Sequence, residues 1–290
     1  MNPEITIRRA ESPADYLACQ EAQRRAWGIN EDHYVVPVAT MVGAQQHGGL
    51  VLGAFLPSGE AVGMSFAFLG RIGKQVGLYS QLTGVVPGDQ DQGIGSLLKT
   101  QQRAIAHAEG VPFIAWAFDP LQAGNARFNL DKLGATAGKF IENMYGPRSD
   151  ALNRNTPTDR LVAVWESNPD LPRDRLDPAS CLEFARAIAL VSGQEPDAPP
   201  EPTWAGIPES APGLLLEIPA DINALRASTP DLANRWGTAV RQAFLAAFRA
   251  GYRAEGFIRD ETPQGRRCYY VLRPGPKGSE TVPEGSNRLR

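Results

Sequence analysis

A predicted strand and a predicted helix are joined by the stretch Val85-Val86-Pro87-Gly88-Asp89-Gln90-Asp91-Gln92-Gly93-Ile94-Gly95-Ser96. The strand covers residues 76–86, and the amphipathic helix runs from about Ile94 to Glu109. Because Gly93 and Gly95 lack a Cβ, the backbone there can approach a ligand closely. The first N–H groups of a helix have no partner within the helix and lie at the positive end of its dipole. The stretch therefore predicts a phosphate-binding helix N-terminus.

Two common phosphate motifs do not match this stretch. A P-loop would need Lys and Ser or Thr after Gly88-x4-Gly93, but Ile94-Gly95 follows. A dinucleotide-binding fingerprint would need a third glycine at position 98, where the chain has Leu98. The pattern that remains is Gln90-x-x-Gly93-x-Gly95.

This pattern resembles the acyl-CoA loop of the GNAT superfamily of N-acetyltransferases, whose motif is Gln/Arg-x-x-Gly-x-Gly/Ala. The order of the predicted elements is similar too: a strand, helices, strands two to four, the loop with its helix, strand five, a helix and two last strands. The resemblance covers about residues 4–166. It implies an α/β fold, with a GNAT-like mixed, mostly antiparallel sheet flanked by helices and a smaller α+β C-terminal region.

The individual elements are predicted from the spacing of apolar residues, which is two in strands and about 3.6 in helices. Strands are predicted at residues 5–8, 50–56, 61–69, 113–118, 140–145 and 161–165, and helices at residues 14–27 and 125–133. Gly110 and Gly134 are suitable helix ends.

The chain is predicted to consist of four segments. Residues 1–166 form the GNAT-like acyl-CoA-binding domain, and residues 167–213 form a Pro-rich connecting segment with a short helix at about 179–191. Residues 214–275 form an α+β domain, and residues 276–290 a loose tail. Within the α+β domain we predict a strand at 214–218, a helix at 230–251 and strands at 254–258 and 268–272. This order is similar to the back half of the first domain, so a degenerate second copy and an unrelated lid both stay open.

The resemblance implies that acetyl-CoA is the co-substrate and assigns roles to individual positions. Backbone groups of Thr83, Gly84 and Val85 would pair with the pantetheine amides where strands four and five diverge. The diphosphate would lie in the motif opened by Gln90, against the backbone of Asp91, Gln92, Gly93, Ile94, Gly95 and Ser96. Asn125 would contact the arm near the thioester, or else cap its helix.

The implied reaction is transfer of an acetyl group to a primary amine of a small molecule or peptide, by direct attack in a ternary complex. The family often places a Glu or His base on strand four, where this chain has Tyr79 and Gln81, predicted to share one face with Thr83. The family's tyrosine acid is replaced by Leu130. The usual acid and base are therefore both absent, and Tyr79, Gln81 and Asp119 are the candidate catalytic residues that remain.

Three explanations of that absence stay open. Ordered water could carry the protons, or other groups could serve, namely Asp119 or the loop Glu31-Asp32-His33. Alternatively, the protein binds or senses acyl-CoA without transferring an acetyl group.

Composition limits the other classes of function. The chain has 290 residues, a net charge of −3, three cysteines and three scattered histidines. A bulk electrostatic attraction to nucleic acid or anionic membranes is therefore absent. No apolar run approaches the roughly 18–20 residues of a membrane span. We expect a cytoplasmic protein with acetyl-CoA and an amine as partners, with no nucleic acid, membrane or metal; a homodimer stays open.

Overall fold

The structure is a computed structural model that describes residues 4–29, 31–146, 157–172, 176–191, 201–208, 211–263 and 265–275. Its contacts divide the chain into two compact units. The first unit is Met1–Trp116 with Glu166–Leu171, and the second unit is Ala117–Trp165 with Pro172–Arg290.

The first unit contains a mostly antiparallel sheet. Its strands are β1 (Thr6–Arg9), β2 (Leu50–Phe55), β3 (Ala61–Ile72), β4 (Gln75–Val85) and the first residues of β5 (Phe113–Phe118). The first four pair antiparallel in chain order, and β5 pairs parallel to β4.

Helices cover both faces of this sheet. They are α1 (Pro13–Trp27), α2 (Val38–Gln46) and α3 (Ile94–Ala108). On one face, Tyr16 and Cys19 of α1 and Met41 of α2 form a core with Phe66 of β3. On the other face, a Cβ built at Gly63 of β3 would lie 3.1 Å from Ile94 and 3.4 Å from Leu98 of α3.

A capping box begins α1. The Ser12 hydroxyl accepts from the Asp15 N–H, and the Asp15 carboxylate accepts from the Ser12 N–H at 3.1 Å. Arg8 of β1 donates to both oxygens of Asp15, at 2.9 and 2.7 Å. The hydrogen bonds from Arg8 hold the pKa of Asp15 well below its usual range.

We expect Asp15→Asn to lower the free energy of unfolding by about 1–2 kcal/mol at pH 7, because the charged hydrogen bonds from Arg8 are lost. The pKa of Asp15 is depressed in the folded state, so this stabilisation is fully present above the unfolded pKa of about 4, declines as pH falls below it, and is lost only as pH falls through the lower folded pKa. Urea unfolding of the wild type and the variant, at pH 7 and at pH 3, measures the loss in the free energy of unfolding at each pH. The exposed Glu21→Gln on the same helix is the control. An equal loss at both pH values would contradict this prediction.

The second unit combines strands from two distant parts of the chain. Its strands are the end of β5, β6 (Thr136–Ile141), most of β7 (Arg160–Glu166), β8 (Ala185–Arg186), β9 (Ile188–Val191), β10 (Glu201–Trp204), β11 (Leu214–Ile218), β12 (Tyr252–Thr262) and β13 (Gly265–Pro274). Six of them pair in the order β7-β6-β12-β13-β11-β8, and β9 pairs with β10.

Four helices belong to this unit: α4 (Ala123–Ala126), which continues as a π-helix over Arg127–Leu133, α5 (Pro178–Leu182), α6 (Ile222–Ser228) and α7 (Pro230–Arg249). The apolar stripe of α7 packs on β6, β11 and β12. At its centre, the Phe244 ring lies 5.7 Å from Phe140, 5.4 Å from Phe248 and 5.0 Å from Tyr270.

The predicted α/β class, with a largely antiparallel sheet flanked by helices, is confirmed. The predicted helix at 179–191 is wrong beyond Leu182, because β8 and β9 follow. Pairing of β8 with β11 and of β9 with β10 supplies backbone partners that the local pattern does not reveal. The strand predicted at 140–145 occurs earlier, as β6, because Asn143 adopts a positive φ of 45° in the turn that follows.

The contacts divide the chain within β5, whereas the sequence placed a domain boundary at residue 166. The latter boundary stays a prediction about which part of the chain folds alone. The predicted loose tail at 276–290 lies outside the described residues.

Candidate functional site

Strands β4 and β5 separate soon after they meet. Their only ladder pairs, within two strands that are described in full, are Leu78↔Ile114 and Tyr79↔Ala115. Beyond this point β4 continues to Val85 and pairs with β3 alone. We call the opening the fork; it lies between Ser80–Val85 on β4 and Trp116 on β5. The predicted divergence of strands four and five is confirmed, and it leaves an edge of β4 to which an extended ligand can add as a strand.

The loop after β4 leads directly into the N-terminus of α3. A 3₁₀ turn spans Gln90–Gln92, and Gly93 then takes a left-handed conformation with φ 74°. As the N-cap, Gly93 provides no side chain to bind the first N–H groups of α3. Nothing lies within 4 Å of a Cβ built at Gly93, and the nearest atom to one at Gly95 is 3.8 Å away. The positive end of α3 is therefore open to an anion.

The other residues of the motif shape this loop. The Gln90 side chain donates to the Val85 carbonyl at 3.3 Å, and the Gln92 side chain donates to the Asp89 carboxylate at 3.1 Å. Ser96 is exposed in the first turn of α3, where its N–H donates to the Gly93 carbonyl. The side chain of Asp91 is outside the described residues.

A β-bulge interrupts β4 within the fork. Phe66 of β3 lies opposite Leu82, and the next residue, Ala67, lies opposite Ser80, so Gln81 is the extra residue. The bulge changes the alternation of side chains along the strand. The Thr83 hydroxyl lies 3.0 Å from that of Ser65, on the face covered by α3.

Tyr79 and Gln81 lie on the opposite face of β4. The Tyr79 ring is 5.5 Å from Phe68, which lines the same cleft as Gln81. The prediction that these two residues share a face with Thr83 is therefore wrong, because the bulge reverses the alternation. Gly84 lies against α1, where an added Cβ would be 2.4 Å from the Trp27 ring.

A cleft of about 520 Å³ opens on the α1–α2 side of this bulge. Its walls come from the segment before α2, from α2 and from β3 and β4. Its lining combines aliphatic residues with aromatic and polar ones, and the latter two groups are His33, Tyr34, Thr40, Phe66, Phe68 and Gln81. The polar loop at 31–33 thus contributes His33 to the cleft, and His33 pairs with Glu31 at 3.4 Å. Asp32 is engaged by Arg24 at 2.6 Å.

Two predicted site residues belong to the second unit. The Asp119 carboxylate accepts from the Leu121 N–H at 2.8 Å and pairs with Arg226 at 3.3 Å. Both carboxylate oxygens are thus engaged by neighbouring groups, which favours a structural role for Asp119. Asn125 is exposed within α4, whose N-cap is Gln122, so Asn125 does not cap the helix.

Sequence reasoning missed a set of buried polar side chains between α3 and the sheet. Lys99 donates to Ser80 at 2.9 Å, and Gln102 donates to Ser65 at 3.1 Å. Burial lowers the pKa of Lys99 to about 7. A weak signal was present in the sequence. Gln102 follows Ile94 and Leu98 at a spacing of four residues on one face of α3, where an apolar residue is expected.

The part of the chain that the structure describes contains neither a metal-binding cluster of side chains nor a helix suited to span a membrane. No group of three or more His, Cys, Asp or Glu side chains there is arranged to hold a metal ion. No helix among these residues has the length and apolar character that a bilayer span requires.

Several solved structures that resemble this chain are described as acetyltransferases. The ribosomal-protein-S18-alanine N-acetyltransferase of Escherichia coli is 16% identical, with a TM-score of 0.45 over 58% of this chain and 99% of its own. An acetyltransferase of the GNAT family from Staphylococcus aureus Mu50 is 13% identical, with a TM-score of 0.39 over 57% of this chain and 100% of its own. An acetyltransferase structure from Salmonella typhimurium, which contains its cofactor acetyl-CoA, is 20% identical. Its TM-score is 0.46 over 60% of this chain and 99% of its own.

These likenesses concern the fold of the N-terminal part of the chain. No protein-family model matches the sequence, and no curated protein matches it.

Proposed function

We propose that the protein is an N-acetyltransferase that moves an acetyl group from acetyl-CoA to a primary amine. The observation that carries this proposal is the fork, whose free β4 edge leads to the open N-terminus of α3. A diphosphate binds at the helix N-terminus through the backbone from Asp91 to Ser96. The pantetheine arm then extends along Thr83–Val85 as an added strand. Few ligands other than a CoA thioester combine a diphosphate with such an arm.

The aromatic cleft holds the amine. It reaches Gln81 at the bulge, beside the fork, so an amine in the cleft approaches the thioester from the face opposite α3. None of the six lining residues named above is a lysine or an arginine. An amine with an apolar or aromatic body is therefore favoured over a polyanion or a strongly hydrated substrate.

The reaction follows from this placement. The neutral amine attacks the thioester carbonyl carbon, and the tetrahedral intermediate collapses with cleavage of the C–S bond. Tyr79 and Gln81 flank the acetyl group, and a water chain in the cleft takes the amine proton. Asp119 is the weakest of the three predicted catalytic residues, because Arg226 already neutralises its charge. No covalent acyl-enzyme is needed.

The test combines turnover with binding. Thiol release from acetyl-CoA is measured over a panel that includes arylalkylamines, alkylamines, polyamines and peptide N-termini, and calorimetry measures acetyl-CoA affinity. Turnover with at least one amine supports the proposal. Tight binding without turnover on any amine would instead favour an acyl-CoA sensor, which the absence of a Glu or His on β4 and of the tyrosine at Leu130 motivates. Absence of acetyl-CoA binding would overturn both.

We expect Phe68→Ala to raise KM for an arylalkylamine about tenfold, because removal of one wall of the cleft loses about 1–1.5 kcal/mol of apolar contact. The affinity for acetyl-CoA stays unchanged, since Phe68 lies outside the fork. Steady-state kinetics and calorimetry measure the two quantities.

Leu69→Ala is the matched control for this prediction. Leu69 is the next residue on β3, is 43% exposed and does not line the cleft. An equal rise in KM in both variants would show that the amine binds elsewhere.

A further inference from the structure

One lysine contacts both strands at the point where they part. The Lys99 Nζ of α3 donates to the Ser80 hydroxyl at 2.9 Å and lies 4.1 Å from the centre of the Trp116 ring. Ser80 and Trp116 are the residues that directly follow the last ladder pair, Tyr79↔Ala115. Lys99 therefore lies at the apex of the fork.

Among the described residues, no carboxylate is paired with this buried lysine. It is 5% exposed, and its described contacts are a hydroxyl from β4 and an aromatic ring from β5. The neighbouring buried side chains of α3 and β3, Gln102 and Ser65, are uncharged. Burial is the cause of the pKa of about 7, with no charged group contributing. Buried and uncompensated amines are costly, and such perturbed groups concentrate at functional sites.

The apex is also where the sulfur of a bound CoA would lie. The arm begins at the N-terminus of α3 and follows β4 backwards from Val85 to Ser80, a distance of roughly 16 Å at about 3.3 Å per residue. Beyond Ser80 the strands are paired, so the arm ends there. The Ser80 hydroxyl accepts from Lys99, which leaves its own hydrogen available for a group in the fork.

We infer that Lys99 supplies, through the hydroxyl of Ser80, the proton that the CoA thiolate takes up when the acetyl group leaves; this inference rests on the proposed function. When the C–S bond breaks, its electron pair stays on sulfur. The sulfur takes the Ser80 hydroxyl proton, and the Ser80 oxygen takes a proton from the Lys99 ammonium. The products are the amide, the CoA thiol and a neutral Lys99. The proton lost by the amine returns to Lys99 through solvent, so the enzyme neither gains nor loses a proton over one turnover.

Position 130, which holds a leucine, cannot supply this proton. Leu130 is fully buried in the π-helix of the second unit and carries no proton. Burial lowers the pKa of Lys99 to about 7, so its ammonium gives up a proton more readily than an ordinary lysine, which suits a general acid. Above this pKa, Lys99 has lost the proton that it would donate, so kcat is expected to fall at alkaline pH. We call this fall the alkaline limb of the kcat profile, and it depends on Lys99.

The kinetic test compares three variants. Lys99→Met keeps the length and apolar contacts but removes the ammonium, and Ser80→Ala removes the relay. Each is expected to lower kcat about 100-fold and to leave KM for acetyl-CoA within about twofold. Lys99→Met also loses the alkaline limb of the kcat profile. Gln102→Leu is the matched control, a buried polar residue of the same helix that does not contact Ser80, and it should keep both kcat and the limb. An equal fall in kcat in the control, or an unchanged limb in Lys99→Met, would overturn the inference.

A second measurement does not require turnover. The chain has five lysines, Lys74, Lys99, Lys132, Lys139 and Lys277, so side-chain ¹⁵N resonances are resolved and Lys99 is assigned by its absence in Lys99→Met. CoA is expected to shift the titration midpoint of Lys99 by more than about 0.5 units, because the thiol of CoA and the amine of Lys99 then share the Ser80 hydroxyl and their titrations are coupled. CoA that lacks its sulfur is expected to leave the midpoint unchanged.

The outcomes separate the two proposals. If CoA binds and Lys99 does not respond to the sulfur, this inference is overturned and the proposed function stands. If CoA does not bind, the proposed function fails and this inference fails with it. If CoA binds with a sulfur-dependent shift but no amine is acetylated, both the transferase reaction and the proton transfer from Lys99 are overturned, and only the position of the sulfur beside Lys99 is supported.

Discussion

Gly95→Asp is expected to weaken acetyl-CoA binding at least about 100-fold while the protein remains folded. Gly95 is the second residue of α3, and an added Cβ would make only an ordinary contact, 3.8 Å from Val85. An aspartate there replaces a flexible glycine and lies at the positive end of the helix, so stability is expected to stay equal or rise. The same carboxylate meets the diphosphate, and two unit charges 4 Å apart repel by about 4 kcal/mol near a protein surface.

Calorimetry with acetyl-CoA measures the affinity, and thermal unfolding measures the stability. Gly95→Ala is the matched control: it adds the Cβ without the charge and should lose less than about tenfold in affinity. Gly93 is less suited to the experiment, because its φ of 74° strains any other side chain. Undiminished affinity in a folded Gly95→Asp variant would remove the diphosphate from the N-terminus of α3 and with it the basis of the proposed function.

Phe244→Ala is expected to lower the free energy of unfolding of the second unit by about 3–5 kcal/mol. The side chain is fully buried, and its ring contacts Phe140, Phe248 and Tyr270 at centroid distances of 5.0–5.7 Å. Truncation loses the transfer free energy of the ring and leaves a cavity between α7 and the sheet.

Urea unfolding measures this loss, and hydrogen exchange locates it in α7, β12 and β13. Gln242→Ala, an exposed position of α7, is the control and should change stability by less than about 0.5 kcal/mol. A loss below about 1 kcal/mol in Phe244→Ala would mean that α7 does not form the core of this unit.

The candidate site was predicted in part. The strand, loop and helix N-terminus around Gly93 are local features, and the structure forms them where the sequence placed them. The face of β4 was not predicted correctly, because a bulge at Gln81 depends on how β3 pairs with β4. Periodicity counted along β4 alone does not reveal an extra residue on one side of a ladder.

Lys99 is a second feature of the site that the local sequence did not predict. Along the sequence it is a lysine beside the apolar ridge of a helix, a position typical of a solvated side chain. Its burial results from two strands that diverge above it, so that its amine reaches Ser80 and Trp116. Whether a lysine is a surface charge or a buried amine depends on contacts between residues that are far apart in sequence.

By itself, the sequence determined the order of strands and helices in residues 4–166, the glycine-containing turn before α3, and the strands at 113–118 and 214–218, because apolar spacing and glycine conformation act over a few residues. Tertiary structure alone decided the fork between β4 and β5, the bulge, the buried Lys99 and the pairing of β6 with β12. Those features depend on which strands pair and on which segments, far apart in sequence, pack together. The apolar pattern of a single strand contains little information about the strand that it pairs with.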